Sequence, residues 1–252
     1  YMQKFSIIVI LVLITISCKK TETPIPVIEN PLGTLELIES FKLNVTEPSG
    51  LSFGQGNNTL LTVSDNTNTV FELDLQGKIL RELDYTGKDL EGVTYNPDEN
   101  QIVIAEEADR ELTFLDYTSG QFISTYKINI AVGSENSGLE GVSYNQNNKL
   151  YYVLNETNPD LMILWNPTSG IISEEKLDVA ADYSGIFVDV NNSHIWIVSD
   201  QSERLFKCDY SMKVIKEFKL DERKFEGVVI DNNLVYLVND ATAQLEIYKI
   251  ID

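Results

Sequence analysis

An all-β fold, a five-bladed β-propeller of four-stranded antiparallel blades, follows from three observations in this 252-residue chain. A repeat of about 42 residues occurs five times, each copy has strand texture, and the last copy ends one strand short. The missing strand is available at the front, in Thr34-Leu35-Glu36-Leu37-Ile38-Glu39-Ser40-Phe41-Lys42-Leu43. Pairing it with the C-terminal blade closes the ring and removes two loose sheet edges.

The repeat is found by columns. Pro48-Ser49-Gly50-Leu51-Ser52-Phe53 recurs as Leu90-Glu91-Gly92-Val93-Thr94-Tyr95 and as Leu139-Glu140-Gly141-Val142-Ser143-Tyr144. It returns as Tyr183-Ser184-Gly185-Ile186-Phe187-Val188 and as Phe225-Glu226-Gly227-Val228-Val229-Ile230, with glycines 42, 49, 44 and 42 residues apart. Fifteen residues after each of the first four glycines stands an acid, Asp65, Glu107, Glu156 and Asp200. In the fifth copy it is Asp240, after thirteen, because the Asp231-Asn232-Asn233 turn is shorter. Five residues beyond each acid is an aliphatic residue: Val70, Leu112, Leu161, Leu205 and Leu245.

Between the columns lie short β-branched and aromatic runs such as Leu60-Leu61-Thr62-Val63 and His194-Ile195-Trp196-Ile197-Val198. Turn clusters such as Asn96-Pro97-Asp98-Glu99-Asn100 separate them. In the first copy the four strands are expected at 50–54, 60–64, 69–74 and 78–84.

Lys and Arg total 19 against 39 Asp and Glu, a net charge of −20. So acidic a surface repels nucleic acid and attracts cations, so no nucleic-acid partner is expected. At the N-terminus, Met2-Gln3-Lys4 precedes thirteen almost wholly apolar residues, Phe5 to Ser17, and then Cys18. That run is too short to span a bilayer and suits a signal peptide. A small residue before a cysteine resembles a bacterial lipobox, although Thr15 departs from the usual Leu. The expected organisation is a lipoprotein signal peptide at 1–17, a lipidated Cys18 with a Pro-containing tether at 18–33, and the propeller at 34–252. The protein would then be membrane-anchored and extracytoplasmic, at the outer membrane if two membranes are present, and monomeric. With Cys18 lipidated, Cys208 has no disulfide partner and reads as a small strand residue.

In a propeller the first strand of each blade lines the central channel. The residue before each glycine begins that strand: Ser49, Glu91, Glu140, Ser184 and Glu226. Three glutamates converging on one axis repel one another, and a hard cation relieves that cost. Ca²⁺, with six to eight oxygens at about 2.3–2.6 Å, suits the set better than Mg²⁺. Zn²⁺ is disfavoured, since the only histidine is His194. Glu91, Glu140 and Glu226 are the expected metal ligands, with Ser49, Ser184 and the acid column Asp65, Glu107, Glu156, Asp200 and Asp240 around them. Against this stands a purely structural role, in which these acids accept backbone hydrogen bonds from the next blade. Asp65, Asp200 and Asp240 also read as turn-forming residues, which leaves Glu107 and Glu156 as the better outer candidates. His194 reads as a turn or blade-edge residue, and Trp165 and Trp196 as blade packing. No serine-hydrolase elbow, His-Glu-x-x-His or phosphate loop occurs, so no catalytic residue is assigned.

The Ser-Gly-Leu and Leu-Glu-Gly-Val strand starts, the Val-Ser-Asp turn and the run Val70-Phe71-Glu72-Leu73-Asp74-Leu75 through Leu80 resemble the SdiA-regulated (YjiK-like) family over about residues 34–250. The strand texture is shared with propellers of the NHL type. The resemblance implies a five-bladed propeller with a calcium site and supplies no reaction. A more distant likeness is to calcium-dependent lactonases and esterases on six-bladed propellers. Two readings follow: a calcium-binding, non-enzymatic binding or scaffolding module for a protein or small-molecule ligand, or a metal-dependent lactonase or esterase acting at the channel mouth. A sugar- or peptide-capturing receptor using surface aromatics is a third.

Overall fold

The computed structural model describes residues 32–131, 138–221 and 224–251. Cys18, the signal peptide and most of the tether lie outside the described residues. Strand β1 (Leu32–Lys42) is followed by a first blade of β2 (Pro48–Phe53), β3 (Leu60–Ser64), β4 (Thr69–Leu73) and β5 (Ile79–Thr86). The second blade is β6 (Leu90–Asn96), β7 (Gln101–Glu106), β8 (Glu111–Asp116) and β9 (Phe122–Lys127). The third is β10 (Leu139–Asn145), β11 (Leu150–Asn155), β12 (Leu161–Asn166) and β13 (Gly170–Lys176). The fourth is β14 (Gly185–Asp189), β15 (His194–Ser199), β16 (Arg204–Cys208) and β17 (Val214–Lys219). The fifth holds β18 (Phe225–Asp231), β19 (Leu234–Asn239) and β20 (Gln244–Ile251). Within each blade, successive strands pair antiparallel.

The fifth blade takes its fourth strand from the front of the chain. β1 pairs antiparallel with β20 from Thr34↔Ile251 to Lys42↔Gln244, with a bulge between Leu37 and Glu39. β1 begins at Leu32, two residues before the expected start, and these two residues have their own role. Leu32 and Gly33 run parallel to Glu217 and Phe218 of β17, stitching the fourth blade to the fifth. Gly33 lies against the Phe218 ring, where a Cβ would fall 2.2 Å from Cε1.

Why the middle strands are continuous apolar runs is visible in the burial pattern. Every residue of β3 and β4 is buried, because both faces of each blade pack on a neighbour. The outer strand β5 alternates half-buried or buried with exposed residues, having one covered face. The core is therefore divided into five clusters, one per blade interface. Leu61 and Val63 meet Val93 and Ile102; Val103 and Ala105 meet Val142 and Tyr151; Tyr152 and Leu154 meet Ile186 and Ile197. Trp196 and Val198 meet Val228 and Leu237, and Val229 and Tyr236 meet Leu51 and Phe53, which closes the circle. Each fully buried aliphatic side chain contributes about 1.5–3 kcal/mol, so no blade is stable without its neighbours. The aliphatic column belongs to these clusters, with Val70, Leu112, Leu205 and Leu245 fully buried and Leu161 at 7% exposure.

The glycine column has a steric cause. A Cβ on Gly50 would fall 2.6 Å from the Glu91 carbonyl oxygen, on Gly92 2.7 Å from that of Glu140, and on Gly185 2.5 Å from that of Glu226. On Gly227 it would fall 2.5 Å from the carbonyl carbon of Gly50. Four of the five inner strands thus touch the next one's backbone around the axis, and a side chain at those glycines would press the ring open, whereas Gly141 meets first the Ile186 side chain at 3.0 Å.

Cys208 is a buried strand residue whose thiol burial pushes up to about 12. His194 begins β15, a middle strand of the fourth blade, just after the turn, and burial lowers its pKa. Trp165 and Trp196 are both 3% exposed and pack within the blades.

Candidate metal centre at the acidic mouth

The inner strands all start at one end of the channel, and the turns after their partner strands rise beside them. A cavity of about 220 Å³ opens there. Glu91, Glu140 and Glu226, the three glutamates before the glycines, all line it, together with Ser49 and Ser184. Of the outer acid column, Asp65, Glu156, Asp200 and Asp240 line it as well. Glu107 stands just behind, where it repels Glu91 and Glu140 and its Oε1 accepts the Gly138 N–H at 3.2 Å.

The expectation that Asp65, Asp200 and Asp240 form the turns is replaced by a different arrangement. The preceding residue does that work. Ser64 Oγ accepts the Thr67 N–H at 3.0 Å, Ser199 Oγ that of Ser202 at 3.2 Å, and Asn239 Oδ1 that of Thr242 at 2.9 Å. Strand alternation then turns the following aspartate to the mouth. The serines behave as links between blades and turns. Ser49 Oγ donates to the Glu91 carbonyl at 2.9 Å, and Ser184 Oγ accepts the Asp200 N–H at 3.3 Å.

Crowding sets the electrostatics. Burial, with repulsion from Asp65, Glu226 and Glu107, pushes Glu91 up to about 9. Burial, then Glu91 and Glu156, holds Glu140 well above the carboxylate range. Glu226, buried but eased by Lys224, rises to about 7, and Asp65, buried and facing Asp89, to about 6. Glu107, Glu156 and Asp240 are raised too, by burial first. Glu91 therefore holds its proton at neutral pH unless a cation replaces it.

The repeat contains one more column at this mouth, three residues before each glycine: Glu47, Asp89, Gly138, Asp182 and Lys224. It is missing from the sequence-derived candidates, although the same glycine register displays it. Glu47, Asp182 and Lys224 line the cavity. Asp89, in the left-handed region at φ 56°, completes the one metal-sized cluster among the described residues. One carboxylate oxygen each from Asp65, Asp89 and Glu91 lies within 4.8 Å of the others. Glu91 is the one member of this cluster that belongs to the expected trio, and Glu140 and Glu226 share its cavity.

The mouth is electrostatically lopsided. Lys224 Nζ lies 3.7 Å from both Asp200 Oδ2 and Glu226 Oε1, and its N–H donates to Asp200 Oδ1 at 2.6 Å. That side carries its own cation. The Asp65–Asp89–Glu91 side has no lysine or arginine in the cavity wall among the described residues. Asp240 Oδ1 is buried and has no hydrogen-bond partner among the described residues, an acceptor left over for a donor or an ion. The donors are all oxygens, a set that could bind a hard metal ion and does not suit zinc. Below the mouth the channel narrows to a neck of about 10 Å³ walled by Gly50, Gly92, Gly141 and Gly185 with Leu51 and Ile186.

Fold and site together define a five-bladed β-propeller with an acid-lined channel mouth. The chain belongs to the SdiA-regulated family, whose model matches residues 37–241. No curated protein matches it in sequence. Among solved structures it is similar to Myxococcus xanthus glutaminyl cyclase, with a TM-score of 0.68 at 12% identity, covering 88% of this chain and 100% of that one. It is also similar to streptogramin B lyase, with a TM-score of 0.50 at 16% identity, covering 84% and 72%. At these identities the likeness is one of fold.

Proposed function

We propose that the acidic mouth holds a hard divalent cation, Ca²⁺ by the chemistry of its donors, and that the propeller is a non-enzymatic binding or scaffolding module. In this reading it works outside the cell, anchored through a lipidated Cys18. The observation that carries the cation is the cluster of Asp65, Asp89 and Glu91, three carboxylates within 4.8 Å with no basic side chain among them. The raised pKa values of Asp65 and Glu91 support it, since a site built to be neutralised by protons alone would have no need of so many acids. Glu140 and the unpartnered oxygen of Asp240 line the same cavity as Asp65 and Glu91. A cation held by these carboxylates would offset the burial and mutual repulsion that raise Asp65 and Glu91. Ca²⁺ tolerates the irregular, multi-oxygen geometry of a ring of strand ends, whereas Mg²⁺ demands a tight octahedron.

Calorimetric titration of the protein with Ca²⁺ tests the assignment. One site is expected, weakened at least tenfold, about 1.4 kcal/mol, by Asp89→Asn. An affinity indifferent to both Asp89→Asn and Asp65→Asn would sink it.

A further inference from the structure

The far end of the channel carries a second pocket of about 450 Å³, on the other side of the neck. Its walls come from the ends of the inner strands that follow the glycines. Four aromatic rings, Phe53, Tyr95, Tyr144 and Phe187, line it. Each is held by a second ring: Phe53 by Tyr236 at 5.9 Å, Tyr95 by Tyr117 at 4.7 Å, Tyr144 by Tyr151 at 4.8 Å, and Phe187 edge-on by Phe53 at 6.2 Å. The apolar surfaces are therefore set in place before anything binds.

The floor breaks the five-fold pattern in an informative way. Two residues after the glycine, Ser52, Thr94 and Ser143 accept the next blade's backbone N–H: Tyr95 at 3.2 Å, Tyr144 at 3.1 Å and Val188 at 2.9 Å. In the last two blades the position is Phe187 and Val229, so the N–H groups of Ile230 and Phe53 have no hydroxyl opposite them. The floor of these two blades thus lacks the hydroxyl link, beside the half-buried Phe187 ring. The rim supplies carboxamides, including Asn57, Gln146 and Asn192, and the carboxylates of Asp189 and Asp231. No lysine, arginine or histidine lines the pocket among the described residues, which disfavours an anionic ligand.

We propose that this pocket binds a neutral, hydroxyl-rich ligand of mono- or disaccharide size. A sugar ring offers C–H faces to the aromatic walls and hydroxyls to the carboxamides and carboxylates of the rim. The volume lies in the usual range for small-molecule sites, about 300–1,000 Å³. This site is independent of the cation proposed at the opposite mouth.

The test is saturation-transfer NMR, with titration of any binder, on the protein with glucose, galactose, N-acetylglucosamine, maltose and lactose. A sugar phosphate and a neutral tripeptide serve as contrasts. At least one neutral saccharide is expected to bind, unchanged by EDTA. Phe187→Ser, which gives the fourth blade the hydroxyl its three predecessors have, should weaken binding tenfold or more. If that variant does not fold, Tyr95→Leu carries the same expectation. Binding by none of the neutral sugars, preference for the phosphate or the peptide, loss in EDTA, or indifference to the folded variant would each overturn the proposal.

Discussion

Without a bound cation, the protein should lose stability as pH rises through neutrality, opposite to the usual behaviour of an acidic protein's paired carboxylates. A carboxyl whose folded pKa stands above its unfolded value contributes stability fully present below the unfolded pKa. That contribution is lost as pH rises through the folded one. Glu226 moves from 4.5 to about 7, and its side chain is only 14% exposed. At about 1.4 kcal/mol per pH unit, most of that interval falls between pH 5 and 8 and amounts to about 2–3 kcal/mol. Glu91 and Glu140 act with the same sign. The lowered carboxyls Glu72, Asp98, Asp109, Asp116 and Asp209 act with the opposite sign, but their window lies below their ordinary values of 4.5 and 3.8. His194, lowered by burial, opposes the trend only below about 6.5. Thermal melts in EDTA from pH 5 to 8 should show the midpoint falling by roughly 5–10 °C, at 2–4 °C per kcal/mol for a chain of this size. A midpoint that is flat or rises across that range would refute the reasoning.

The glycine column makes a graded prediction. Gly92→Ala places a Cβ 2.7 Å from a backbone oxygen, whereas Gly141→Ala meets first a side-chain carbon, Ile186 Cγ2, at 3.0 Å. Overpacking against backbone should cost Gly92→Ala roughly 1–3 kcal/mol in denaturant unfolding, with Gly141→Ala costing less, and the reverse order would contradict the ring geometry. For the anchor, palmitate labelling and membrane fractionation in the expressing cell should both be lost in Cys18→Ser. Labelling that persists in the variant would remove the lipoprotein reading.

Fold was legible because it is written as repetition. Gly50, Gly92, Gly185 and Gly227 recur for one steric reason, and the deficit of one strand at the C-terminus pointed directly to β1. Strand ends were less legible: β2 begins at Pro48 and β5 runs to Thr86, since a strand's limits depend on pairing partners that local texture does not specify. At the site, the column before the glycines was readable and its convergence followed from the fold. Asp89 was not found, because its column is chemically mixed, with Glu, Asp, Gly, Asp and Lys, and shows no residue-type signature. The direction of Asp65, Asp200 and Asp240 was misjudged for a related reason. Ser-Asp and Asn-Asp pairs offer two turn-capping side chains, and only strand register decides which one caps.

The central claim is that the mouth of this ring is completed by a cation. The melting midpoint at pH 7.5, followed as free Ca²⁺ is raised from an EDTA baseline, tests it most directly. Binding to the folded state alone should raise stability by about 2.7 kcal/mol at a hundred times the dissociation constant, a shift of roughly 5–10 °C. A midpoint that does not move with Ca²⁺ would contradict the account.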